Sequence, residues 1–398
     1  MTTGPGAPVP PSGQDGPPFP RGVVIVGAGL IGTSVGLALR ERGIRVWLAD
    51  RDHQAAALAA TLGAGDLLPT LTTSVTVAPP LWEEADLAVL AVPPDVVAPA
   101  LAAAQKSGLA RCYTDVASVK ARPVAAVRDL GCDLASYVPS HPLAGRERGG
   151  PVAARADLFL GRPWALCPLP ETAGPALAAV TALVTACGAE PVTAGVAEHD
   201  GWVALVSHAP HLVASAMAAR LAGAPQGALG LVGQGLRDVT RIAAGDPALW
   251  TQILTANAAG VADVLTAVAD DLRAVAADLE AAAAAARPTP GAEGAHSVLT
   301  GLLETGAAGV ARIPGKHAGP ATEYAIVQVV IPDRPGELSR LFAATEDARI
   351  NIEDIRIEHS PGLPVGVAEL AVRPDSASSL ATALATRGWV ATLVPRVS

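Results

Sequence analysis

His141, in the run Ser140-His141-Pro142-Leu143-Ala144-Gly145, lies downstream of a glycine loop, Gly27-Ala28-Gly29-Leu30-Ile31-Gly32. A neutral imidazole with a pKa near 7 can take the proton of a hydroxyl while the carbon bearing it gives up hydride to a bound dinucleotide. The loop supplies the second half of that chemistry. Gly27 suits the tight turn after a strand, Gly29 lets a pyrophosphate approach the backbone, and Gly32 lets the following helix lie close to the strand. Leu30 and Ile31 open that helix, whose positive end faces the phosphates. Asp50 follows 18 positions beyond Gly32 at the end of a second apolar run, placed to bind ribose hydroxyls and repel a 2′-phosphate. NAD is the expected cofactor, although Arg51, the next residue, could hold a 2′-phosphate. Val92-Pro93-Pro94, after a third strand, should line the nicotinamide side.

Other polar residues suit an anionic substrate. Arg241, on a helical stretch, can grip a carboxylate through two parallel hydrogen bonds. His208 and His211 are three residues apart and can share a helix face. No His/Cys/Asp grouping has metal-site spacing, so no metal is expected.

The elements that must position these groups change character along the chain. Residues 1–20, with seven Pro and four Gly, read as a disordered tail. Residues 21–168 alternate short apolar strands with Ala-rich helices, from Val23-Val24-Ile25-Val26 through Arg45–Ala49, Leu87–Val92, Arg111–Asp115, Ala135–Val138 and Trp164–Cys167. Continuous apolar strands of that kind are buried on both faces of a parallel sheet, which makes this an α/β Rossmann-type dinucleotide-binding domain. Residues 169–286 read as almost wholly helical, with a possible strand near Pro191–Thr193. Helices apolar nearly all round are buried, so this all-α substrate domain is expected to interlock with a second copy in a homodimer. Residues 287–321 read as a linker, in which Ala311–His317 is basic enough to suggest a loop near a site. Residues 322–398 have the order βαββαβ of a ferredoxin-like module. In it Asp333-Arg334-Pro335-Gly336 opens a helix whose free amides suit an amino-acid carboxylate.

Composition narrows the class. Only 3% of residues are aromatic against 50% hydrophobic, so the core is built from Ala, Val and Leu. A net charge of −9 argues against nucleic acid or an anionic membrane as partner. The apolar stretch 259–286 is broken by Asp263, Asp270, Asp271, Arg273, Asp278 and Glu280, which forbids a span there. Cys112, Cys132, Cys167 and Cys187 read as buried thiols of a reducing cytoplasm.

Together Asp115-Val116-Ala117-Ser118-Val119-Lys120 and Ser140–Gly145 resemble the prephenate dehydrogenase family. The resemblance continues at Glu147, Ala156–Phe159, Pro163-Trp164, Glu198-His199-Asp200, Val206–His211, Thr240–Ala243, Asp246-Pro247 and Trp250, spanning about 22–285. It implies NAD-dependent oxidative decarboxylation of prephenate to 4-hydroxyphenylpyruvate, in tyrosine biosynthesis. His141 would hold the ring hydroxyl and Ser118 would touch both that hydroxyl and the nicotinamide. Arg241, His211, Ser207, Glu147, Asp200 and Trp250 would make up the substrate site, with Glu147 as a gate partner of Arg241 and Asp200 and Trp250 as supporting residues. Arg146 stands where many relatives carry a small hydroxyl residue. The last module resembles the ACT domain, implying an aromatic amino-acid effector, probed by Asp333, Pro335, Gly336 and Asn351. Arogenate is the alternative substrate. A β-hydroxyacid dehydrogenase would want a lysine in the helical domain, and 171–286 holds none. A non-catalytic nucleotide-binding amino-acid sensor has no need of His141, Ser118 and Arg241 together.

Overall fold

The computed structural model describes residues 20–68, 85–145, 149–284, 297–314, 324–359 and 364–394. The expected tail, Arg146, Glu147 and part of the basic loop at 311–317 lie outside the described residues. Contacts divide the chain into two units, Met1–Val268 and Ala269–Ser398.

The first unit opens with β1 (Gly22–Val26), α1 (Leu30–Glu41), β2 (Arg45–Ala49), α2 (His53–Thr61), β3 (Asp66–Leu67), β4 (Leu87–Leu90), α3 (Val97–Lys106), β5 (Cys112–Asp115), α4 (Ala121–Asp129) and β6 (Tyr137–Val138). Their strands form one parallel sheet in the order β3-β2-β1-β4-β5-β6. All four residues of β4 are buried, as a strand covered on both faces requires. The order reverses between β1 and β4, and a crevice at such a reversal, beyond the carboxyl ends of the strands, is where ligands bind.

From β6 the chain passes through Pro139 into β7 (Ser140–Pro142), then β8 (Pro163–Leu166), α5 (Gly174–Ala186) and β9 (Glu190–Thr193). These strands form a second sheet, β7-β8-β9, antiparallel then parallel. His141 therefore sits within a strand of its own, opposite Ala165, and not in a loop after β6. The α/β core also extends past the expected boundary at 168. Val180, Leu183 and Val184 of α5 join the same cluster as Val23 and Ile25 of β1.

The helices follow: α6 (Val196–Val203), a π-helical turn (Ala204–His208), α7 (Ala209–Ala219), α8 (Gln226–Leu229), α9 (Gln234–Thr240), a 3-10 turn (Arg241–Ala244), α10 (Pro247–Ala256) and α11 (Ala258–Ala284). Glu198 reaches back to the Gly195 amide to start α6. Asp246 caps α10 through the amides of Ala248 and Leu249, ahead of Pro247. The expectation that these helices are buried all round is not met within one chain. Leu205, Val206 and Leu231 are 61%, 63% and 87% exposed. The helical stretch Val196–Ala219 is long and apolar enough by composition to cross a membrane. Its buried His199, Asp200, His208 and His211 instead serve the site below.

In the second unit, α12 (Ser297–Ala311) replaces part of the expected linker. A run of Val, Leu and Ala outweighs Gly301, Gly306 and Gly309 there. Then come β10 (Ala325–Pro332), α13 (Glu337–Asp347), β11 (Asp354–His359), β12 (Val365–Val372), α14 (Ala377–Thr386) and β13 (Ala391–Leu393). The βαββαβ order holds, with an antiparallel β12 between β11 and β10.

Candidate active site

The glycine loop is built to receive a dinucleotide. Gly27 has φ +107°, and a Cβ there would meet the Ala91 carbonyl oxygen at 2.1 Å. A Cβ on Gly32 would lie 1.9 Å from the Gly27 carbonyl oxygen, so α1 can approach the turn only with glycine. Gly29, by contrast, faces open space, the cradle a pyrophosphate needs. Leu30 and Ile31 are half-buried at the start of α1. Asp50 stands at the end of β2 and draws the loop to it, its Oδ2 accepting from the Ala28 amide at 2.6 Å and its Oδ1 from the Asp52 amide at 2.8 Å. The carboxylate retains acceptor capacity for ribose hydroxyls. Arg51 is exposed beside it. Val92 and Pro93 follow β4 at the strand-order reversal, Val92 half-buried and Pro93 exposed. Residues and shape fit NAD.

Beyond β5 the chemistry-bearing residues converge on a buried scaffold. Asp115 and Lys120 are both fully buried and form an ion pair. Lys120 Nζ also donates to the Ser140 carbonyl at 2.6 Å, and the Tyr137 hydroxyl donates to Asp115 Oδ2 at 2.6 Å. The Ser140 hydroxyl donates to the Asp115 carbonyl at 2.7 Å and accepts from the Trp164 indole at 3.0 Å. These bonds tie the ends of β5 and β6 to β7, directly under His141. Ser118, half-buried between β5 and α4, has no hydrogen-bond partner for its hydroxyl among the described residues.

His141 Nδ1 lies 3.0 Å from Nε2 of His199, the rings meeting edge to face. His199 Nδ1 lies 2.9 Å from Asp200 Oδ1. The Asp200 oxygens also accept from the backbone amides of Lys120 and Ala121, each at 2.8 Å, where α4 begins. Burial pushes the Asp200 carboxyl up, but the His199 bond and the two amides outweigh it and hold it below the usual range. Asp200 thus braces the site from behind His199. It is 6% exposed and supports the histidines. Burial, and then the charges of His199, Lys120 and His208, hold His141 well below the ordinary imidazole value, so it is neutral at neutral pH.

The helical side of the site is set by Trp250. His211 stacks on its indole with ring centroids 3.6 Å apart, and His208 meets it edge to face at 6.2 Å. Burial lowers His211 and takes His208 down to about 4. The Asn257 side chain donates to His208 Nδ1 at 3.1 Å and to the Asp200 carbonyl at 2.8 Å, so His208 is a supporting residue. Ser207 is half-buried on the π-helical turn, a distortion that recurs at functional sites. Arg241 is exposed and opens the 3-10 turn packed against α7, the helix that bears His211. Sequence reasoning gave no role to His199, Asp115, Lys120 or Asn257. The adjacent His-Asp pair on one helix was the signal available for the first.

In the second unit, Gly336 has φ +89° and starts α13 with no side-chain cap, leaving first-turn amides available. Asp333 and Pro335 lie on the same exposed turn. Asn351 does not join them. Asp354 and Ile326 both sit opposite Ala371, whereas Pro332 sits opposite Val365. Asn351 therefore belongs to the end where β10 starts, about 20 Å from the Gly336 turn at ~3.3 Å per strand residue. Glu353, Asp354, Arg356 and Tyr324 line a cavity of 540 Å³ at that end.

A family model described as prephenate dehydrogenase, nucleotide-binding domain, matches residues 35–193, and one described as prephenate dehydrogenase, dimerization domain, matches 196–285. The probable prephenate dehydrogenase NovF of Streptomyces niveus is 40% identical over 373 residues, 93% of this chain and 99% of that one. The cyclohexadienyl dehydrogenase of Zymomonas mobilis is 33% identical over 61% of this chain and 83% of its own. A crystal structure of prephenate dehydrogenase from A. aeolicus, with hydroxyphenyl propionate and NAD+, covers 73% of this chain and 97% of its own with TM-score 0.60. At 24% identity that likeness is one of fold. Agreement with NovF over nearly the full length of both chains, together with two successive family matches across 35–285, establishes that the chain belongs to the prephenate dehydrogenase family.

Proposed function

We propose that this protein catalyses the NAD-dependent oxidative decarboxylation of prephenate to 4-hydroxyphenylpyruvate, with His141 as the proton acceptor. The observation that carries the assignment to His141 is a neutral imidazole, braced on one side, at the carboxyl end of a dinucleotide-binding sheet. NAD, when bound, supplies the acceptor for the hydride lost by ring carbon C4. As the C4 hydroxyl becomes a carbonyl, its proton passes to His141. Loss of the ring carboxylate as carbon dioxide makes the ring aromatic, and the proton returns to the phenolic oxygen. Ser118 holds the hydroxyl with its free Oγ, while Arg241 and His211 orient the two carboxylates. Holding the reacting groups in place is the larger part of what the protein contributes. Purified protein with NAD and prephenate should form NADH, read at 340 nm. Turnover of arogenate alone would move the substrate assignment, and silence with both substrates under NAD and NADP would end it.

A second copy of the chain is the natural cover for Leu205, Val206 and Leu231, which stand exposed in the region matching a dimerization domain. Sedimentation equilibrium should give twice the 39.8 kDa of one chain. A monomer at micromolar concentration would overturn the homodimer. The four free thiols suit a reducing compartment, which favours the cytoplasm.

The C-terminal βαββαβ unit reads as an ACT-like regulatory module taking an aromatic amino acid at the Gly336 turn. Gly336→Val puts a β-branched residue at φ +89°. It should abolish inhibition by tyrosine or phenylalanine and leave uninhibited turnover within about twofold, since activity is assigned to the first unit. Unchanged inhibition in a folded variant would remove the turn from the effector site.

A further inference from the structure

The contact between two histidine rings and a carboxylate has a single consistent proton arrangement when both rings are neutral. Asp200 is an ionised carboxylate, held so by the amides of Lys120 and Ala121, and can only accept. His199 Nδ1, 2.9 Å away, must then carry its ring's proton, which leaves Nε2 bare. His141 Nδ1, 3.0 Å from that bare nitrogen, must in turn carry the His141 proton. Nε2 of His141, the nitrogen turned away from His199, is left as the one basic atom of the ring.

Resting on the reading of His141 as proton acceptor, we propose that Asp200 and His199 are positioning residues that fix His141 in its Nδ1–H tautomer, with Nε2 as the atom that receives the substrate's hydroxyl proton. In that step the substrate O–H bond breaks and the Nε2–H bond forms. The O–H electron pair becomes the new carbonyl bond as C4 surrenders hydride to the nicotinamide. The charge His141 gains is met through an Nδ1–H already donating to His199, so little reorganisation is needed at that moment. His199 is 2% exposed, and Asp200 is anchored at the start of α4, so the bracing is rigid. The charged and titratable groups acting on His141 are His199 from α6, Lys120 from the β5–α4 segment and His208 from the π-helical turn, with Asp200 behind His199 and Asp115 paired with Lys120.

The test uses the full chain. His199→Leu should lower kcat about 10²- to 10⁴-fold, as removing the residue that orients a catalytic histidine does. Prephenate KM and NAD affinity by fluorescence titration should stay within about threefold, and the acid limb of kcat/KM should shift. His199→Gln keeps an acceptor toward His141 and a donor toward Asp200, and should recover at least tenfold of the lost rate. A purely structural role would lower both variants in step with folded fraction and leave the acid limb where it was, overturning the proposal. Imidazole ¹⁵N NMR of the wild-type protein should show His141 protonated on Nδ1. Finding the Nε2–H tautomer overturns the relay whatever the variants do. If His141→Asn is impaired while His199→Leu turns over normally, the relay fails and the base assignment stands. Full activity in His141→Asn would remove the base assignment itself.

Discussion

His141→Asn lowers kcat by about 10²- to 10⁴-fold and leaves NAD binding intact, the loss expected when a positioned general base is removed. Asn keeps polarity and much of the volume, so β7 and its pairing with β8 need not change. What it cannot do is accept a proton at the ring nitrogen turned toward substrate. The pH profile of the unmodified protein follows from the same environment. Burial first, then His199, Lys120 and His208, hold His141 well below 6.5. The basic form is therefore present throughout the neutral range, and kcat/KM should be flat near pH 7 and fall only on the acid side. Stability moves in the same direction. His208 titrates at about 4 when folded, against an unfolded value near 6.5, so the unfolded chain binds more protons between those pH values. The stability that this neutral histidine contributes is complete above pH ~6.5 and is lost as pH falls toward 4, by roughly 3 kcal/mol for the one group. Wild-type turnover in His141→Asn, or an acid limb at or above pH 6.5, would contradict the assignment.

Much of this was readable before any coordinates. Five of the six parallel strands are legible, β1, β2 and β4 most plainly because burial on both faces leaves no polar alternation, whereas β3, two exposed residues, gives no such signal. The glycine loop is legible because each glycine answers a steric demand, two of them closer than any Cβ allows. What escaped was set by tertiary contact. β7 is three residues, Ser-His-Pro, with no periodicity of its own, and it is a strand because Ser140–Pro142 pair with Trp164–Leu166. The π-helical turn has ordinary helix formers, and nothing local distinguishes it from α-helix. The supporting role of Asp200 is legible, but its partners, amides 80 and 79 residues away, are not. Asn351 was grouped with Gly336 by kinship of pattern, yet β10 and β11 each run opposite to β12, so the end of β10 and the start of β11 lie far apart. Strand order alone would have revealed that separation.

Lys120→Met should destabilise the first unit by about 3–5 kcal/mol, a shift of about two to four orders of magnitude in its folding equilibrium. Met nearly fills the space of the lysine stem, so cavity formation contributes little. The cost is electrostatic. Asp115 is wholly buried, and without the ammonium its charge keeps, among the described residues, only the Tyr137 hydroxyl and the Ala117 amide as partners. Breaking one side of a buried pair is far more costly than replacing both sides, because it strands a desolvated charge. Lys120→Met with Asp115→Asn should therefore cost less than the sum of the two single changes, a coupling measurable by urea unfolding as a double-mutant cycle. The effect also reaches the chemistry. Lys120 holds the Ser140 carbonyl, one residue from His141, and its own amide anchors Asp200. Losing the side chain loosens β7 while leaving the Asp200 anchor in place. Turnover of the folded fraction should then fall through His141 placement while the glycine loop still binds NAD. A loss of stability below 1 kcal/mol, or additive single and double changes, would show that the ion pair does not brace the strand that carries the base.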